Sequence, residues 1–250
     1  MDSILSQGYP GLEYVVLDGG SRDGSDAIIR RAARHLTAWR SRPDDGQYAA
    51  VAEGLEGTDA TILGWLNADD MLHPLALRKV ADAFLSHPET RWLTGRPTAF
   101  DASGRVTWVR PDLPRWTPDI FYAGDFRAFI QQESTFFTRE LWQAAGADFC
   151  KDFPLAGDFD LWLRFFRLTD LRVVDRLLGG YRMHVLLFLR VCRSGQYPEI
   201  GEREGGEKKR GAAPDPAGGN DFPQAPSRGE WGERGGQAPS PRGRAISWRC

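Results

Sequence analysis

Residues 12–25 read LEYVVLDGGSRDGS and residues 61–70 read TILGWLNADD. Each is a short run of aliphatic, β-branched and aromatic residues that ends abruptly in polar or acidic side chains. Runs of this length with turn residues behind them are read as buried strands. Gly19 and Gly20 let the backbone turn tightly after the first. Between and beyond them the pattern changes period. Residues 23–39 predict a helix with Ile28, Ile29, Ala32, Ala33 and Leu36 on one face, and residues 47–55 a shorter one. Residues 74–85 predict an amphipathic helix with Pro74 near its first turn. Further strands are expected at 92–100, 106–109, 129–138 and 171–175, with helices at 139–145 and 158–168. An early strand–helix alternation of this kind implies an α/β fold, a mainly parallel sheet covered by helices on both faces.

Three acidic clusters carry the chemistry. Asp18 ends the first strand, and in open α/β sheets ligands bind beyond the carboxyl ends of strands. A carboxylate there can accept N–H bonds from a nucleobase or O–H bonds from a ribose; it can equally belong to a turn that caps the next helix through Ser21 or Asp23. Asn67-Ala68-Asp69-Asp70 ends the second strand. Adjacent carboxylates repel unless a cation neutralises them, and hard oxygen donors suit Mg²⁺ or Mn²⁺ bound together with phosphates. Capping of the helix near Pro74 is the plainer alternative. The third cluster, AGDFDLWLR at 156–164, opens a helix with Asp158 and Asp160 in its first turn. Acids there interact favourably with the helix dipole; a carboxylate at a pocket wall can also take a proton from an attacking hydroxyl.

Composition narrows the classes. The 250 residues hold 32 Lys+Arg against 34 Asp+Glu, a net charge of −2, which argues against a protein built to hold nucleic acid. Cys150, Cys192 and Cys250 are an odd, widely spaced set that fits neither a disulfide framework nor a zinc knuckle. The start, MDSILSQ, lacks the basic and apolar regions of a signal peptide, so a cytoplasmic location is expected. His35, His73 and His87 are expected at surface or capping positions. From residue 185 onward the composition turns to Gly, Pro, Arg and Glu, with 12 of the 28 Gly and 7 of the 16 Pro. Such a stretch buries too little apolar surface to offset its ordering entropy, so 1–184 is expected to be the folded domain and 185–250 a disordered tail.

Taken in order, the segments LSQGYPGLEYVVLDGGSRDGS, DDGQYAAVAEG, GWLNADDMLHPLAL, IQQESTFFTRELW, AGDFDLWLRF and GGYRMH resemble family 2 glycosyltransferases of the GT-A fold. The resemblance spans residues 3–184. It implies a Rossmann-like, mixed but mainly parallel sheet and inverting transfer from a nucleotide-diphosphate sugar to a saccharide or lipid-linked acceptor. It implies Mg²⁺ or Mn²⁺ as cofactor, polysaccharide or glycoconjugate synthesis, and a location in the cytoplasm or at the inner face of the membrane.

By resemblance, Asp18 would contact the nucleobase and Asp45 the base and ribose. Asn67-Ala68-Asp69 would occupy the DXD position, with Asn67 on the donor and Asp69 on the metal. Asp70 would stand near the metal, and His184 would complete the metal or diphosphate site. Gln132 and Glu133 would line the acceptor side, Asp158 would be the base, and Trp162 and Arg164 would support its helix.

The same comparison implies departures. A first, central strand is missing ahead of residue 3. Ala49 and Ala52 stand where relatives often carry Asp and Asn. The family pattern stops at His184. A truncated relative that binds nucleotide weakly or not at all is the alternative these departures leave open.

Overall fold

In the computed structural model of the protein the described residues are 1–123, 129–146, 156–183 and 246–249, the last as backbone only. The first strand forms where the sequence places it: β1 is Leu12–Asp18. The strand β2, Ala38–Ser41, runs parallel to it, with Val15 opposite Ala38 and Asp18 opposite Ser41. The helix expected over 23–39 is therefore shorter. The helix α2 spans Ser25–Ala32, following a one-turn helix α1 at Asp2–Leu5. A 3₁₀ turn, Ala33–His35, ends it, and Leu36 is extended. The reason is a competing partner: Thr37 N–H donates to the Tyr14 carbonyl at 2.8 Å, and Tyr14 N–H donates back to Thr37 Oγ1 at 3.1 Å. Pairing with β1 wins over continuing a helix through Thr37 and Trp39. Ile29 is buried but Ile28 is exposed.

The remaining elements are α3 (Gln47–Glu56), β3 (Ile62–Leu63), β4 (Met71–Leu72), α4 (Ala76–Ser86), β5 (Trp92–Thr94), β6 (Thr98–Phe100), β7 (Val106–Val109), α5 (Pro118–Tyr122), β8 (Thr135–Thr138), α6 (Arg139–Ala145), α7 (Gly157–Phe166), β9 (Arg172–Val173), β10 (Gly179–Arg182) and β11 (Ile246–Arg249). The large sheet has the order β2-β1-β11-β3-β8-β5-β9, and a second sheet has the order β4-β10-β6-β7. In the large sheet β8 alone runs against its neighbours; the other strands are parallel. This is the mixed, mainly parallel α/β sheet the sequence implies.

Residues 92–100, expected as one strand, divide between the two sheets. The break falls at Gly95-Arg96-Pro97, where Gly95 N–H bonds the Ser134 carbonyl and Arg96 N–H bonds that of Arg176. A Cβ on Gly95 would lie 2.6 Å from Ser134 Oγ, so the crossing requires glycine. Likewise the strand expected over 129–138 is confined to β8, preceded by a 3₁₀ turn at Gln132–Ser134.

Alternation along the central strands builds two cores. Leu63, Trp92 and Phe137 face one side with Val51 and Leu55 of α3, Leu141 and Trp142 of α6, and Leu161, Trp162 and Phe165 of α7. Ile62, Leu93 and Phe136 face the other with Ile4, Ile29 and the α4 residues Leu77, Val80 and Phe84. Successive side chains of a strand point to opposite faces, so these are the two sides of one sheet with helices over each. Trp162 stacks between Trp65 and Trp92, with ring centroids 5.7 and 5.4 Å away, which is the packing role expected of it.

Within 185–250, expected to be disordered, one short segment is described as a strand. Residues 246–249 form β11, between β1 and β3 and parallel to both; residues 184–245 and 250 lie outside the described residues. Without it β1 and β3 would present unpaired edges to each other in the middle of the sheet, an arrangement that strongly favours any extended segment. The run Ile246-Ser247-Trp248-Arg249 has the alternation and β-prone residues that its Gly/Pro-rich surroundings conceal. Ending the chain before Ile246 is expected to lower the melting temperature by several degrees or abolish the cooperative transition. A melt unchanged by that truncation would remove β11 from the folding unit.

Candidate active site

β1 runs on to Asp18, whereas β11 pairs with it only through Val15 opposite Arg249. The space beyond β11, between the ends of β1 and β3, is a cleft of about 230 Å³. Leu17 closes it on one side, Trp65-Leu66-Asn67-Ala68 on the other, and Gln47, Ala50 and Val51 of α3 form its wall. It lies at the carboxyl ends of parallel strands, the usual ligand position in such sheets. Binding pockets for whole drug-sized ligands run from about 300 Å³ upward, so this one has room for only part of such a ligand.

Asp18 stands at the cleft's β1 end. Its carboxylate accepts from Ser21 N–H at 3.1 Å and from the hydroxyls of Ser21 and Ser41. Burial alone would raise its pKa; the bonds from Ser21 and Ser41 outweigh it and hold the carboxyl below its ordinary range. Asp45 is exposed on the loop ahead of α3. Its neighbour Asp44 is the one tied in, accepting from Arg40 at 3.0 Å and from Gly46 N–H at 3.0 Å, while Arg40 also grips Glu53 of α3.

At the β3 end, Asn67 Oδ1 accepts from Gln47 Nε2 at 2.7 Å. Asp69 is exposed, and its backbone carbonyl accepts from Arg182 Nε at 2.7 Å. Asp70 is different: it is only 8% exposed, and its Oδ1 accepts from Arg182 N–H at 2.9 Å. Burial pushes its carboxyl up to about 6, helped by the charge of Asp69, against the downward pull of bonds with Arg182, Asn67 and Glu133. Glu133 is raised well above its ordinary value, first by burial and then by the charge of Asp70. Two carboxyls in contact cannot both ionise cheaply, which is why the charge of Asp70 raises Glu133. The sequence pairs Asp70 with Asp69 as a metal ligand and sets Glu133 toward the acceptor; the geometry joins Asp70 to Glu133 inside the protein instead.

Gln132 is also inward. It is 6% exposed and its amide donates to the Trp65 carbonyl, while Gln131 bonds both backbone groups of Thr98 at 2.8 and 2.7 Å. The two glutamines hold β6 and the end of the TILGWL segment in place.

Asp158 lies in the first turn of α7, and its Oδ1 accepts from the Tyr48 hydroxyl at 3.1 Å. Burial, then the charge of Asp158, push the Tyr48 phenol up to about 12, so it stays a donor. Asp160, two residues further along the helix, is paired with Arg164 at 3.0 Å. Asp158 is near enough to raise the pKa of Glu133. The structure thus brings Asn67, Asp69, Asp70, Glu133 and Asp158 into one acidic neighbourhood beside the cleft. His184 lies outside the described residues.

Among the described residues no group of three His, Cys, Asp or Glu side chains is arranged to hold a metal ion by itself. The donor set fits a different mode: one exposed, hard carboxylate at Asp69, with Asp70 engaged elsewhere. Mg²⁺ and related ions are commonly held by one or two carboxylates plus substrate phosphates, so the residues suit a cation that arrives with a diphosphate.

His73 departs from expectation, being 4% exposed. Its Nε2 lies 2.8 Å from Thr98 Oγ1 and its ring 4.8 Å from that of Phe100. Burial, then the charge of Lys79, lower its pKa to about 4. An unfolded chain, with His near 6.5, therefore binds more protons between pH 4 and 6.5. Stability contributed by neutral His73 is present above pH 6.5 and is lost as pH falls toward 4, by about 3 kcal/mol at most. Urea titrations at pH 7 and 4.5 should show that slope, and His73→Asn should flatten it.

Tyr48, Gln47 and Arg182 are the site residues that motif reasoning missed. The polar pair Gln47-Tyr48, followed by the apolar run Ala49-Ala50-Val51-Ala52, was the available signal.

The glycosyl transferase family 2 profile matches residues 1–141. The O-antigen biosynthesis protein RfbC of Myxococcus xanthus is 33% identical over 130 residues, 50% of this chain and 10% of that protein. An uncharacterized glycosyltransferase of Mycobacterium tuberculosis is 27% identical over 164 residues, 65% of this chain and 60% of that protein. The chain thus spans less than two thirds of the length of these relatives. Among solved structures, Staphylococcus aureus TarS 1–349 in complex with UDP superposes with a TM-score of 0.54 at 17% identity, covering 77% of this chain and 58% of that one; the likeness is one of fold. No helix among the described residues is long and apolar enough to cross a membrane. With the profile covering more than half of its length, and with strand-end acids gathered at a cleft in the sheet, the chain belongs to glycosyl transferase family 2.

Proposed function

We propose that the protein transfers a sugar from a nucleotide-diphosphate donor to an acceptor hydroxyl, with inversion at the anomeric carbon. The observation that carries this reading is the position of Asp158: Tyr48 ties it to the same helix, α3, that walls the cleft between Asp18 and Asn67.

In this reading the donor's base enters the cleft, and Asp18 accepts one bond from it. Asn67, fixed by Gln47, faces the ribose and diphosphate. Asp69 is the described side chain that would hold Mg²⁺ or Mn²⁺. When bound, such a cation neutralises charge developing on the diphosphate as it departs. Asp158 takes the proton of the acceptor hydroxyl as oxygen attacks, a general-base role that contributes about 10²–10⁴ in rate. Attack from the face opposite the leaving group gives inversion. The Asp70–Glu133 pair holds the segment behind Asp69 through Arg182 N–H. Asp45 and His184 are assigned to the ribose and the diphosphate, respectively, by resemblance alone.

The name of the Myxococcus relative supports a place in polysaccharide or glycoconjugate synthesis; a saccharide or lipid-linked acceptor and peripheral membrane contact are assigned by resemblance alone. The UDP in the TarS structure makes UDP the first nucleotide to try. The test is thermal melting with UDP, GDP and dTDP, each with and without Mn²⁺, followed by release of nucleotide from the matching sugar donor. A rise with one nucleotide that needs metal supports the reading. No shift with any of them favours a relative that no longer binds donor.

A further inference from the structure

We propose that Tyr48 is the residue that positions Asp158, fixing both the first turn of α7 and which carboxylate oxygen meets the acceptor. The inference rests on the reading of Asp158 as the base.

Two observations converge on it. The first is the bond from the Tyr48 hydroxyl to Asp158 Oδ1 at 3.1 Å. The second is at the helix end itself. The N-cap of α7 is Ala156, which has no side chain able to cap. Against burial and the charge of Asp158, which raise the Tyr48 pKa, the backbone N–H groups of Gly157 and Asp158 are near enough to its hydroxyl to pull it down. One phenol thus donates to the acid in the first turn of a helix whose start has no side-chain cap of its own. Its ring is half-buried and packs against the aromatic core around Trp65 and Trp162, so the hydroxyl is held from a rigid base.

The geometry has a consequence for the reaction. With Oδ1 engaged by Tyr48, Oδ2 is the oxygen left for the acceptor proton. Tyr48 follows Gln47, which holds Asn67 at the donor side. The first turn of α3 therefore sets the distance between the donor cleft and the base. A base misplaced by a fraction of an ångström loses rate with little change in donor binding.

The test is Tyr48→Phe, which keeps the ring and removes the hydroxyl, compared with Asp158→Asn and the double variant. Expected for Tyr48→Phe is a 10- to 100-fold fall in kcat with the donor KM unchanged within about 2-fold. Expected for the double variant is no further loss beyond Asp158→Asn, because the tyrosine acts only through the acid. A purely structural tyrosine would instead lower the two rates independently. Native-state hydrogen exchange supplies a readout that needs no turnover: the amides of Gly157 and Asp158 should exchange faster in Tyr48→Phe while those of β8 do not change. Wild-type kcat in Tyr48→Phe, or unchanged exchange at those two amides, overturns the proposal while leaving the base assignment standing. Full transfer by Asp158→Asn overturns both.

Discussion

Asp158→Asn is expected to reduce transfer by about 10²–10⁴ while the donor nucleotide binds as before, since that is the range a positioned general base contributes. The amide matches the carboxylate in shape and its oxygen can still accept from the Tyr48 hydroxyl, which lies 3.1 Å from Oδ1. The first turn of α7 should therefore keep its place, and Trp162 should remain stacked between Trp65 and Trp92. What disappears is the ability to take a proton. Steady-state kinetics on the matching donor, with nucleotide affinity measured separately, separates the two effects. Loss of nucleotide binding would move Asp158 into the donor site; retained turnover would remove it from the chemistry.

The largest structural effect is expected from Gly179→Ala. A Cβ at Gly179 would stand 1.9 Å from the Glu133 carbonyl oxygen and 2.7 Å from its carbon. Those are backbone atoms of the 3₁₀ turn that also carries Gln132, so no side-chain rotation relieves the clash. The adjacent Gly180 is as crowded, with a Cβ 2.3 Å from Thr98 Oγ1. Overpacking of this kind commonly costs 1–3 kcal/mol and more against a rigid backbone. A cost of about 4 kcal/mol would take much of the 5–15 kcal/mol margin of an ordinary domain. Urea unfolding should show a strongly lowered midpoint or no soluble protein. An unchanged midpoint would mean that β10 does not lie against residues 132–134.

These two positions show what a sequence makes legible. Leu12–Asp18 reads as a strand because the run Tyr14-Val15-Val16-Leu17 within it is apolar and β-prone and glycines follow it, and the structure has a strand with those bounds. The acids at strand ends are legible for the same reason: the turn that exposes them is local. Residues 92–100 look like one strand because nothing nearby announces that Gly95 must thread between Ser134 and Leu178. The two-residue strand β4 and the β10 strand are invisible because each exists through partners far along the chain. His73 reads as a surface residue ahead of Pro74, yet Thr98 and Phe100 enclose it. Asp70 and Glu133 read as two acids facing ligands; their mutual contact reverses that for Asp70. Tyr48 and Asp158 lie 110 residues apart, so no motif could join them.

The seat of β11 has a consequence for how this protein comes into being. Val15 pairs with Arg249, nearly the full chain apart, and the strand between β1 and β3 is the last one in sequence. Pairings of such separation close late, because the entropy of the intervening loop is lost before contacts reward it. During synthesis β1, β2 and β3 emerge early and must wait with two apolar edges open to any extended peptide nearby. The newborn chain is thus most exposed to aggregation before β11 closes the sheet beneath the cleft. Its yield in a cell should depend on chaperones more than the stability of the finished fold suggests.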